Sequence, residues 1–379
     1  MLLGQPPTTL SGGTHKLATN PPRLDMSSLS SSSSSSPPSA SPLFKFGIVA
    51  DIQFCDCPDG FSFDGVPRYY RHSLSTASAC ASSFASRDAD FAINLGDIID
   101  GKCSSTNPNS SSSALAAVQS SLSHFSKPWY HSYGNHELYN FGRKELQRLL
   151  NIPFVDESSD ASNPALVAYY SFKPHPGFKV IMLDSYDLSI LGRPAGSEKF
   201  LAAQPFMSNN PNYKLGQGNS PIGLLGLDQR FMEFNGGFGE KQLAFLAAEL
   251  ASSAELKEKV ILCSHQPLHP STSPPICLPW NYGSVLSSLR QAGGGTCPVV
   301  ATLSGHTHDS AYYCSDGNDA TAGALGGGGG GGGLVHHLVF KAALESKPPV
   351  HSFAFAEVFH DRLVITGEGD EISRVLPFY

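Results

Sequence analysis

The sequence is poor in charged residues and contains no long apolar run. Asp, Glu, Lys and Arg make up 15% of its 379 residues, with a formal net charge of −7. Nucleic-acid-binding proteins usually carry a basic face, so this balance argues against nucleic acid as the main partner. Because no run reaches the roughly 18 apolar residues that span a bilayer, and the first residues lack a secretory apolar core, we expect no membrane partner.

Cysteine pairs with the spacing C-x-x-C are also absent. The eight cysteines are spread along the chain without the spacing of a disulfide framework. In a chain of this size such cysteines indicate free thiols in a reducing compartment. We therefore expect a soluble, cytoplasmic protein, and we expect it to be a monomer.

Residues 1–42 form a tail rich in serine and proline. This composition cannot bury enough apolar surface to offset the entropy of ordering, so we expect a disordered extension. The tail contains Asp25 as its single acid and carries Lys16 and Arg23. An alternative interpretation is therefore a transit peptide for a plastid or another organelle. Residues 43–379 are expected to form one domain with low-complexity inserts at about residues 104–113 and 320–333.

The domain alternates between short apolar runs and segments with helical periodicity. The runs predict strands at residues 46–50, 91–95, 129–132, 180–183, 260–263 and 299–303. Helices are predicted at residues 71–85, 114–125, 143–150, 240–251 and 282–291. Two hairpins are predicted, one joining residues 167–172 to 178–184 and one joining residues 352–359 to 362–366. This alternation indicates a mixed α/β fold.

Five polar motifs each follow an apolar run. They are Asp51-Ile52-Gln53, Gly96-Asp97, Gly134-Asn135-His136-Glu137, Ser264-His265 and Gly305-His306-Thr307-His308. Carboxylate and amide oxygens together with imidazole nitrogens are suitable ligands for a pair of divalent transition-metal ions. Loops at strand ends are where such sites gather in α/β folds, so the motifs predict a metal-dependent hydrolase.

The positions of single residues within the motifs lead to more detailed expectations. Asp51 and Gln53 are two residues apart, so on an extended segment both side chains reach one ion. Asp97 has two carboxylate oxygens and can bridge two ions. Gly134 is expected to allow a tight turn before Asn135. His136 follows Asn135 directly and is expected to point away from that residue's ion.

The motif series resembles the calcineurin-like metallophosphoesterase superfamily, whose blocks are D-x-H, G-D, G-N-H-E/D, H and G-H-x-H. Here Gln53 stands where most members have histidine, and in this respect the chain resembles the manganese-dependent ADP-ribose/CDP-alcohol diphosphatases. Further similar stretches are Asp59-Gly60-Phe61, Arg68-Tyr69-Tyr70-Arg71-His72-Ser73, Phe234-Asn235-Gly236-Gly237 and the extension of the last block to Asp309. The resemblance covers the chain from about Phe44 to its C-terminus.

The resemblance implies a four-layer α/β/β/α sandwich with two mixed sheets and a dinuclear metal site at the C-terminal edge of the strands. One ion would take Asp51, Gln53, Asp97 and His308, and the other Asp97, Asn135, His265 and His306. The matching position makes His136 a transition-state or leaving-group residue, while Glu137 is expected to hold the loop or His136. The carbonyl of Gln53 is a harder and weaker donor than imidazole, which favours Mn²⁺ or Mg²⁺ over Zn²⁺, with iron also possible.

The implied substrates are small nucleoside diphosphate compounds. A hydroxide bridging the two ions would cleave ADP-ribose to AMP and ribose 5-phosphate, and CDP-choline and other CDP-alcohols to CMP and a phosphoalcohol. Arg68 and Arg71 could clamp a phosphate or form a solvated helix start. Phe63 and Cys277 match positions on the nucleobase side of the pocket, or they pack in the core. Three alternatives stay open: a cyclic-nucleotide phosphodiesterase, a phosphoprotein phosphatase and a non-catalytic scaffold.

Overall fold

The computed structural model describes residues 41–106, 110–153, 155–157, 166–292, 297–315 and 334–378. Residues 1–40 of the predicted tail, residues 107–109 of the first insert and the whole second insert lie outside the described residues. The division into a tail and one domain with two inserts therefore stays a prediction.

The described chain alternates between strands and helices. The strands are β1 (Phe44–Val49), β2 (Gly60–Phe61), β3 (Pro67–Arg68), β4 (Phe91–Asn94), β5 (Trp129–His131), β6 (Val155–Asp156), β7 (Leu166–Val167), β8 (Tyr170–His175), β9 (Phe178–Met182), β10 (Lys259–Cys263), β11 (Val299–Ser304), β12 (Ala311–Ser315), β13 (Val335–Val339), β14 (Phe353–Val358), β15 (Arg362–Glu368) and β16 (Arg374–Pro377). The helices are α1 (His72–Ser86), α2 (Cys103–Thr106), α3 (Ser110–Leu122), α4 (Asn135–Asn140), α5 (Arg143–Leu150), α6 (Glu198–Met207), α7 (Glu240–Glu255) and α8 (Tyr282–Gln291).

Most strands belong to two mixed six-stranded sheets. The first has the order β16-β15-β14-β1-β4-β5, and the second has the order β12-β13-β11-β10-β9-β8. In the first sheet β1, β4 and β5 run parallel, while β14 pairs with β1 in the antiparallel direction. In the second sheet β9, β10, β11 and β13 run parallel. The carboxyl ends of neighbouring parallel strands therefore meet at one edge of each sheet.

The main core lies between the sheets, and helices cover their outer faces. In β10, Ile261 belongs to the same core cluster as Phe46 of β1, whereas Leu262 belongs to the cluster that contains Leu246 of α7. Phe84 of α1 belongs to the core cluster of the first sheet. Because both faces of the central strands are buried, their sequences are continuous apolar runs. The predicted α/β/β/α architecture with two mixed sheets is confirmed.

Several elements differ from the sequence prediction. The elements that were not predicted are α2, α4, α6, the pairs β2–β3, β6–β7 and β12–β13, and β16. The last four residues of the first predicted insert, 110–113, form the first turn of α3. Helix α6 was missed because Pro205 lies inside it and obscures the helical pattern. No disulfide joins the cysteines of the described segments, as predicted. Among these same residues, no helix has both the length and the apolar character needed to cross a bilayer.

Candidate metal centre

The predicted ligands lie together where the parallel strands of the two sheets end. β1, β4 and β5 lead into the first three motifs, and β10 and β11 lead into the histidine motifs. All of the predicted ligands are buried: Asp51, Gln53, Asp97, Asn135, His265, His306 and His308. Charged and polar side chains are rarely buried without partners, so this cluster needs a compensating interaction.

The backbone at most of these ligands is left-handed. The φ angles are +51° at Asp51, +43° at Gln53, +58° at Asp97, +70° at His306 and +68° at His308. A non-glycine residue in this region costs roughly 1–3 kcal/mol, and such residues cluster at functional sites. The expectation that Asp51 and Gln53 share a direction because their segment is extended is therefore wrong. Their side chains converge through two left-handed turns instead.

Two glycines allow loops to approach the carboxylates closely. Gly134 has a φ of −102°, so it does not need glycine's conformational freedom, as the tight-turn prediction assumed. A Cβ at Gly134 would instead overlap the carboxylate of Asp97, and a Cβ at Gly305 would overlap that of Asp51. Both positions therefore require glycine, because any larger side chain would clash with the carboxylate of a predicted ligand.

Asp97 occupies the middle of the cluster. Its Oδ2 lies 3.0 Å from Gln53 Nε2 and 3.5 Å from His265 Nε2. Ligand atoms of Asp97, His265 and His306 all lie within 4.8 Å of one another. A carboxylate in this position can contribute to both ion positions.

The other half of the cluster contains two oxygens without partners. His308 Nε2 lies 3.7 Å from Asp51 Oδ1 and 2.9 Å from Gln53 Nε2. Asp51 Oδ1 and Gln53 Oε1 are buried and have no hydrogen-bond partner among the described residues. A half-turn of the Gln53 amide brings Oε1 towards His308. Buried acceptors without a donor are costly, so this donor set fits a divalent cation.

Each predicted histidine ligand is held through the ring nitrogen that faces away from the cluster. His265 Nδ1 lies 2.8 Å from the carbonyl oxygen of Leu95, and His308 Nδ1 lies 2.7 Å from Glu345 Oε1. His306 Nε2 lies 3.2 Å from Asn235 Oδ1. Such contacts fix ring orientation and tautomer, leaving the other nitrogen for a metal.

The roles of Asn235 and Glu345 were missed from the sequence. Asn235 lies in a stretch that carried the resemblance, yet nothing there pointed to a histidine partner. Glu345 lies in a short 3₁₀ turn outside every motif.

Burial and the nearby His265 lower the pKa of His306 well below its usual value, so its ring is neutral, as a metal ligand must be.

Glu137 ties together the loops that carry Asp97 and Asn135. Its Oε2 accepts hydrogen bonds from the Asp97 amide at 2.9 Å and the Gly134 amide at 2.7 Å. Its Oε1 accepts from the Ile98 amide. Asn135 Oδ1 accepts from the Tyr186 hydroxyl at 3.1 Å. Glu137 therefore holds together the loops that carry two of the predicted ligands, and it is not itself a predicted ligand.

His136 faces the centre more closely than expected from the sequence. Its amide donates to Asp97 Oδ1 at 2.8 Å, and its Nε2 lies 4.0 Å from Asp97 Oδ2. Its Nδ1 lies 2.8 Å from the Gly101 amide nitrogen and 3.2 Å from Asp100 Oδ2. Burial lowers the pKa of His136, but the charges of Asp97 and Asp100 outweigh it and raise this pKa to about 9.

The predicted arginines have different surroundings. Arg68 Nε lies 3.7 Å from Glu345 Oε1, and the Arg68 charge acts on the pKa of His136. Arg71 instead pairs with Asp56 at 2.7 Å, and its side chain is 58% exposed. Arg68 therefore lies beside Glu345, which contacts the predicted ligand His308, whereas Arg71 pairs with an exposed carboxylate. Phosphate binding by either arginine stays a prediction.

The residues predicted on the base side differ in burial, since Phe63 is exposed and Cys277 is half-buried. Phe63 is 99% exposed, in the loop between β2 and β3. Burial, followed by the charges of Asp64 and Asp51, raises the pKa of Cys277 to about 12, so its thiol lies within electrostatic reach of both carboxylates. Contact of Phe63 and Cys277 with a nucleobase stays a prediction.

Comparison with known proteins agrees with this geometry. The family model described as calcineurin-like phosphoesterase matches residues 44–310. A manganese-dependent ADP-ribose/CDP-alcohol diphosphatase of Oryza sativa subsp. japonica is 40% identical over 334 residues, which cover 87% of this chain and 92% of the relative. The Homo sapiens protein of the same name is 34% identical over 349 residues, which cover 90% of this chain and 94% of the relative.

A solved structure gives the same result. The crystal structure of a dimetal phosphatase from Danio rerio matches with a TM-score of 0.76 and 33% identity, covering 89% of this chain and 100% of that one. The family match spans most of the chain, and the relatives match over nearly their full length. The chain therefore belongs to the calcineurin-like phosphoesterase family, in the group of proteins named manganese-dependent ADP-ribose/CDP-alcohol diphosphatase.

Proposed function

We propose that this chain hydrolyses the phosphoanhydride bond of nucleoside diphosphate compounds. ADP-ribose would give AMP and ribose 5-phosphate, and CDP-alcohols such as CDP-choline would give CMP and a phosphoalcohol. The single observation that carries this proposal is the buried donor set with Gln53 in the first motif. Its support is the 34–40% identity, over most of the chain, to proteins named for this activity.

The donor set suits two divalent ions. Asp51, Gln53, Asp97 and His308 would hold one, and Asp97, Asn135, His265 and His306 the other. Bound divalent ions supply Lewis-acid chemistry, because they lower the pKa of coordinated water and take up charge from phosphate oxygens. Manganese is the proposed metal, since the amide oxygen of Gln53 replaces an imidazole and since the relatives are named as manganese-dependent.

His136 is the proposed proton donor to the leaving oxygen. Its Nδ1 has a donor partner, the Gly101 amide, and an acceptor partner, Asp100. The ring is therefore held in place whether or not Nδ1 carries a proton. Its Nε2 lies on the side of Asp97, where it can hold a proton next to the reacting phosphate. General acid catalysis of this kind typically contributes about 10²–10⁴-fold to turnover.

Different parts of the substrate would lie on different sides of the centre. Arg68, which lies near His136 and Glu345, would bind a phosphate oxygen. The exposed ring of Phe63 would stack on the base, a contact that contributes on the order of 1–3 kcal/mol in nucleic-acid sites. Phe63→Ala should raise KM for ADP-ribose more than KM for a simple aryl phosphodiester, whereas Phe61→Ala in the same hairpin should change neither. Equal effects of Phe63→Ala on both substrates would remove it from the base site.

A substrate panel tests the proposed function. The purified chain would be freed of metal, supplied with Mn²⁺, Mg²⁺ or Zn²⁺, and incubated with ADP-ribose, CDP-choline, a cyclic nucleotide and a phosphopeptide. We expect AMP and CMP as nucleotide products, with the highest rate in Mn²⁺, as measured by chromatography. Rapid phosphopeptide or cyclic-nucleotide hydrolysis without diphosphate cleavage would refute the proposal.

A further inference from the structure

Asn235 is a buried asparagine that joins the metal centre to a neighbouring turn. It is fully buried, and both ends of its side-chain amide have two partners each. Its Nδ2 donates to the carbonyl oxygens of Arg230 at 2.8 Å and Ile276 at 2.7 Å. Its Oδ1 accepts from Gln266 Nε2 at 2.5 Å and lies 3.2 Å from His306 Nε2. A buried amide whose hydrogen-bonding positions are all used holds its partners in fixed relative positions.

These partners also determine which way the amide of Asn235 points. Two of them are backbone carbonyl oxygens, which only accept hydrogen bonds, so the group that faces them is the NH₂ group. The amide oxygen therefore faces His306, and His306 Nε2 carries the proton of that contact. His306 Nδ1, which lies 3.0 Å from His265 Nε2, is then left unprotonated towards the centre.

Ile276 belongs to the 3₁₀ turn Pro275–Cys277, which lies near the metal centre. The half-buried thiol of Cys277 shows this position, because the charges of Asp64 and Asp51, together with burial, raise its pKa to about 12. Asp51 is a predicted ligand, whereas Asp64 lies in the loop between β2 and β3. The turn is therefore within electrostatic reach of the metal centre and of the β2–β3 hairpin.

A second set of hydrogen bonds joins the same segments. Gln266 follows the predicted ligand His265, and its Oε1 accepts from the Gly236 amide at 3.2 Å. The Gly236 carbonyl in turn accepts from the Trp280 amide at 2.8 Å, three residues beyond the turn. A Cβ at Gly236 would overlap the carbonyl oxygen of Ser185, so the backbone is closely packed here. Hydrogen bonds therefore connect the loops of both histidine motifs to the turn and to the segment that follows it.

We propose that Asn235 is a positioning residue for nucleotide substrates, because it sets the distance between His306 and the turn Pro275–Cys277. This inference rests on the proposed diphosphatase function. The phosphates of a nucleoside diphosphate would bind at the metal centre, and its nucleoside part would extend past the turn towards the β2–β3 hairpin. A small aryl phosphodiester lacks a nucleoside part and needs only the metal centre. Asn235 therefore affects the binding of nucleotides more than that of simple diesters.

The variant Asn235→Asp separates the two ends of the amide. The aspartate keeps an oxygen for His306, but it places its second oxygen against two carbonyl oxygens that cannot donate to it. We expect KM for ADP-ribose and Kd for AMP to rise at least about tenfold, because the turn is no longer held. KM for bis(4-nitrophenyl) phosphate and the affinity for Mn²⁺ should each change less than about threefold.

The variant Asn235→Leu removes both ends of the amide at nearly the same size. It should weaken nucleotide binding as Asn235→Asp does. It should also lower Mn²⁺ affinity by about 10–100-fold, since His306 loses the acceptor that orients its ring. The control Asn281→Asp alters an asparagine in a neighbouring loop, which exchanges hydrogen bonds with the backbone of Phe238. This control should change neither nucleotide binding nor Mn²⁺ affinity.

Alkylation of Cys277 measures how firmly the turn is held, without any assay of activity. Cys297 is also half-buried and serves as the reference within the same chain. The metal-loaded full chain would be treated briefly with iodoacetamide, and mass spectrometry would measure labelling at each cysteine. Relative to Cys297, Cys277 should be labelled at least about tenfold faster in Asn235→Asp than in the natural chain. Gln266→Met removes a donor to Asn235 without adding charge and should act in the same direction.

Several outcomes would overturn the positioning role. One is unchanged labelling of Cys277 in whichever of Asn235→Asp and Gln266→Met thermal unfolding shows to be folded. Equal rises of KM for ADP-ribose and the aryl diester would have the same meaning. If neither variant folds, Asn235 supports the fold as a whole and the proposal is wrong. A natural chain that does not cleave ADP-ribose would refute the proposed function, while AMP binding and Cys277 labelling would still decide the role of Asn235.

Discussion

Replacement of Glu137 by glutamine tests whether the metal centre is held in place by hydrogen bonds to its loops. Glu137 is fully buried and accepts from the amides of Asp97, Ile98 and Gly134. A glutamine has one oxygen and one NH₂ group at these positions. Its NH₂ group must face either the Ile98 amide or the amides of Asp97 and Gly134, so at least one buried donor loses its acceptor.

The size of the effect follows from these contacts. A buried donor without an acceptor costs about 1–3 kcal/mol. Burial and the charge of Asp97 raise the pKa of Glu137 to about 7, so removing its charge offsets part of this loss. We therefore expect a decrease of about 1–2 kcal/mol in the free energy of unfolding. Because the loop of Asp97 is then less well held, Mn²⁺ affinity should fall by about 10–100-fold, as for other residues that support ligands.

The assay compares Glu137→Gln with Glu145→Gln, which removes an exposed carboxylate from the first turn of α5. Urea unfolding of the metal-free proteins measures stability, and electron paramagnetic resonance of free Mn²⁺ measures metal affinity. The control should change neither quantity. If Glu137→Gln lost stability while binding Mn²⁺ as tightly as before, Glu137 would support the fold and not the centre. Unchanged values of both would refute the reasoning from hydrogen bonds.

Three further changes address catalysis, metal choice and pH. His136→Ala should lower kcat about 10²–10⁴-fold and leave Mn²⁺ affinity unchanged. The control His124→Ala, at an exposed position, should change neither quantity. If His136→Ala lost Mn²⁺ instead, His136 would be a metal ligand. Gln53→His should shift the metal optimum away from Mn²⁺, and an unchanged metal profile would count against Gln53 as a ligand. Burial lowers the pKa of His131 to about 4, so the unfolded chain binds a proton near pH 6.5 that the native chain does not bind. Stability should therefore fall by about 2 kcal/mol from pH 7 to pH 5, and urea unfolding of His131→Phe should lack this part of the decrease.

The sequence predicted the elements whose patterns have a single physical meaning. Strands buried on both faces are short apolar runs, so β1, β4, β10 and β11 could be located to within a few residues. The motifs after them contain residue types that suit divalent ions, so candidate ligands could be chosen from the sequence, and the fold brings these candidates together. Helices α5 and α8 matched their predicted bounds because their apolar residues recur with helical spacing.

The remaining features depend on contacts between distant segments. Glu345 contacts His308 across 37 residues, and Asn235 contacts His306 across 71 residues. Neither contact has a local pattern, because the partner is brought close only by the fold. The left-handed backbone of Asp51 and Gln53 was also missed, because positive φ is uncommon for any residue other than glycine, even though aspartate adopts it more often than most.

The strained ligands are held by hydrogen bonds between the loops themselves. The Asp51 amide donates to the Gly96 carbonyl at 3.2 Å, and the Gln53 amide donates to the Asp97 carbonyl at 2.8 Å. The Asp51 carbonyl in turn accepts from the Leu344 amide at 3.1 Å, next to Glu345. Because these bonds pair buried backbone groups of neighbouring loops, they offset part of the cost of the left-handed turns at Asp51 and Gln53. The arrangement of the predicted ligands therefore depends on contacts between the loops as well as on the strands that lead into them.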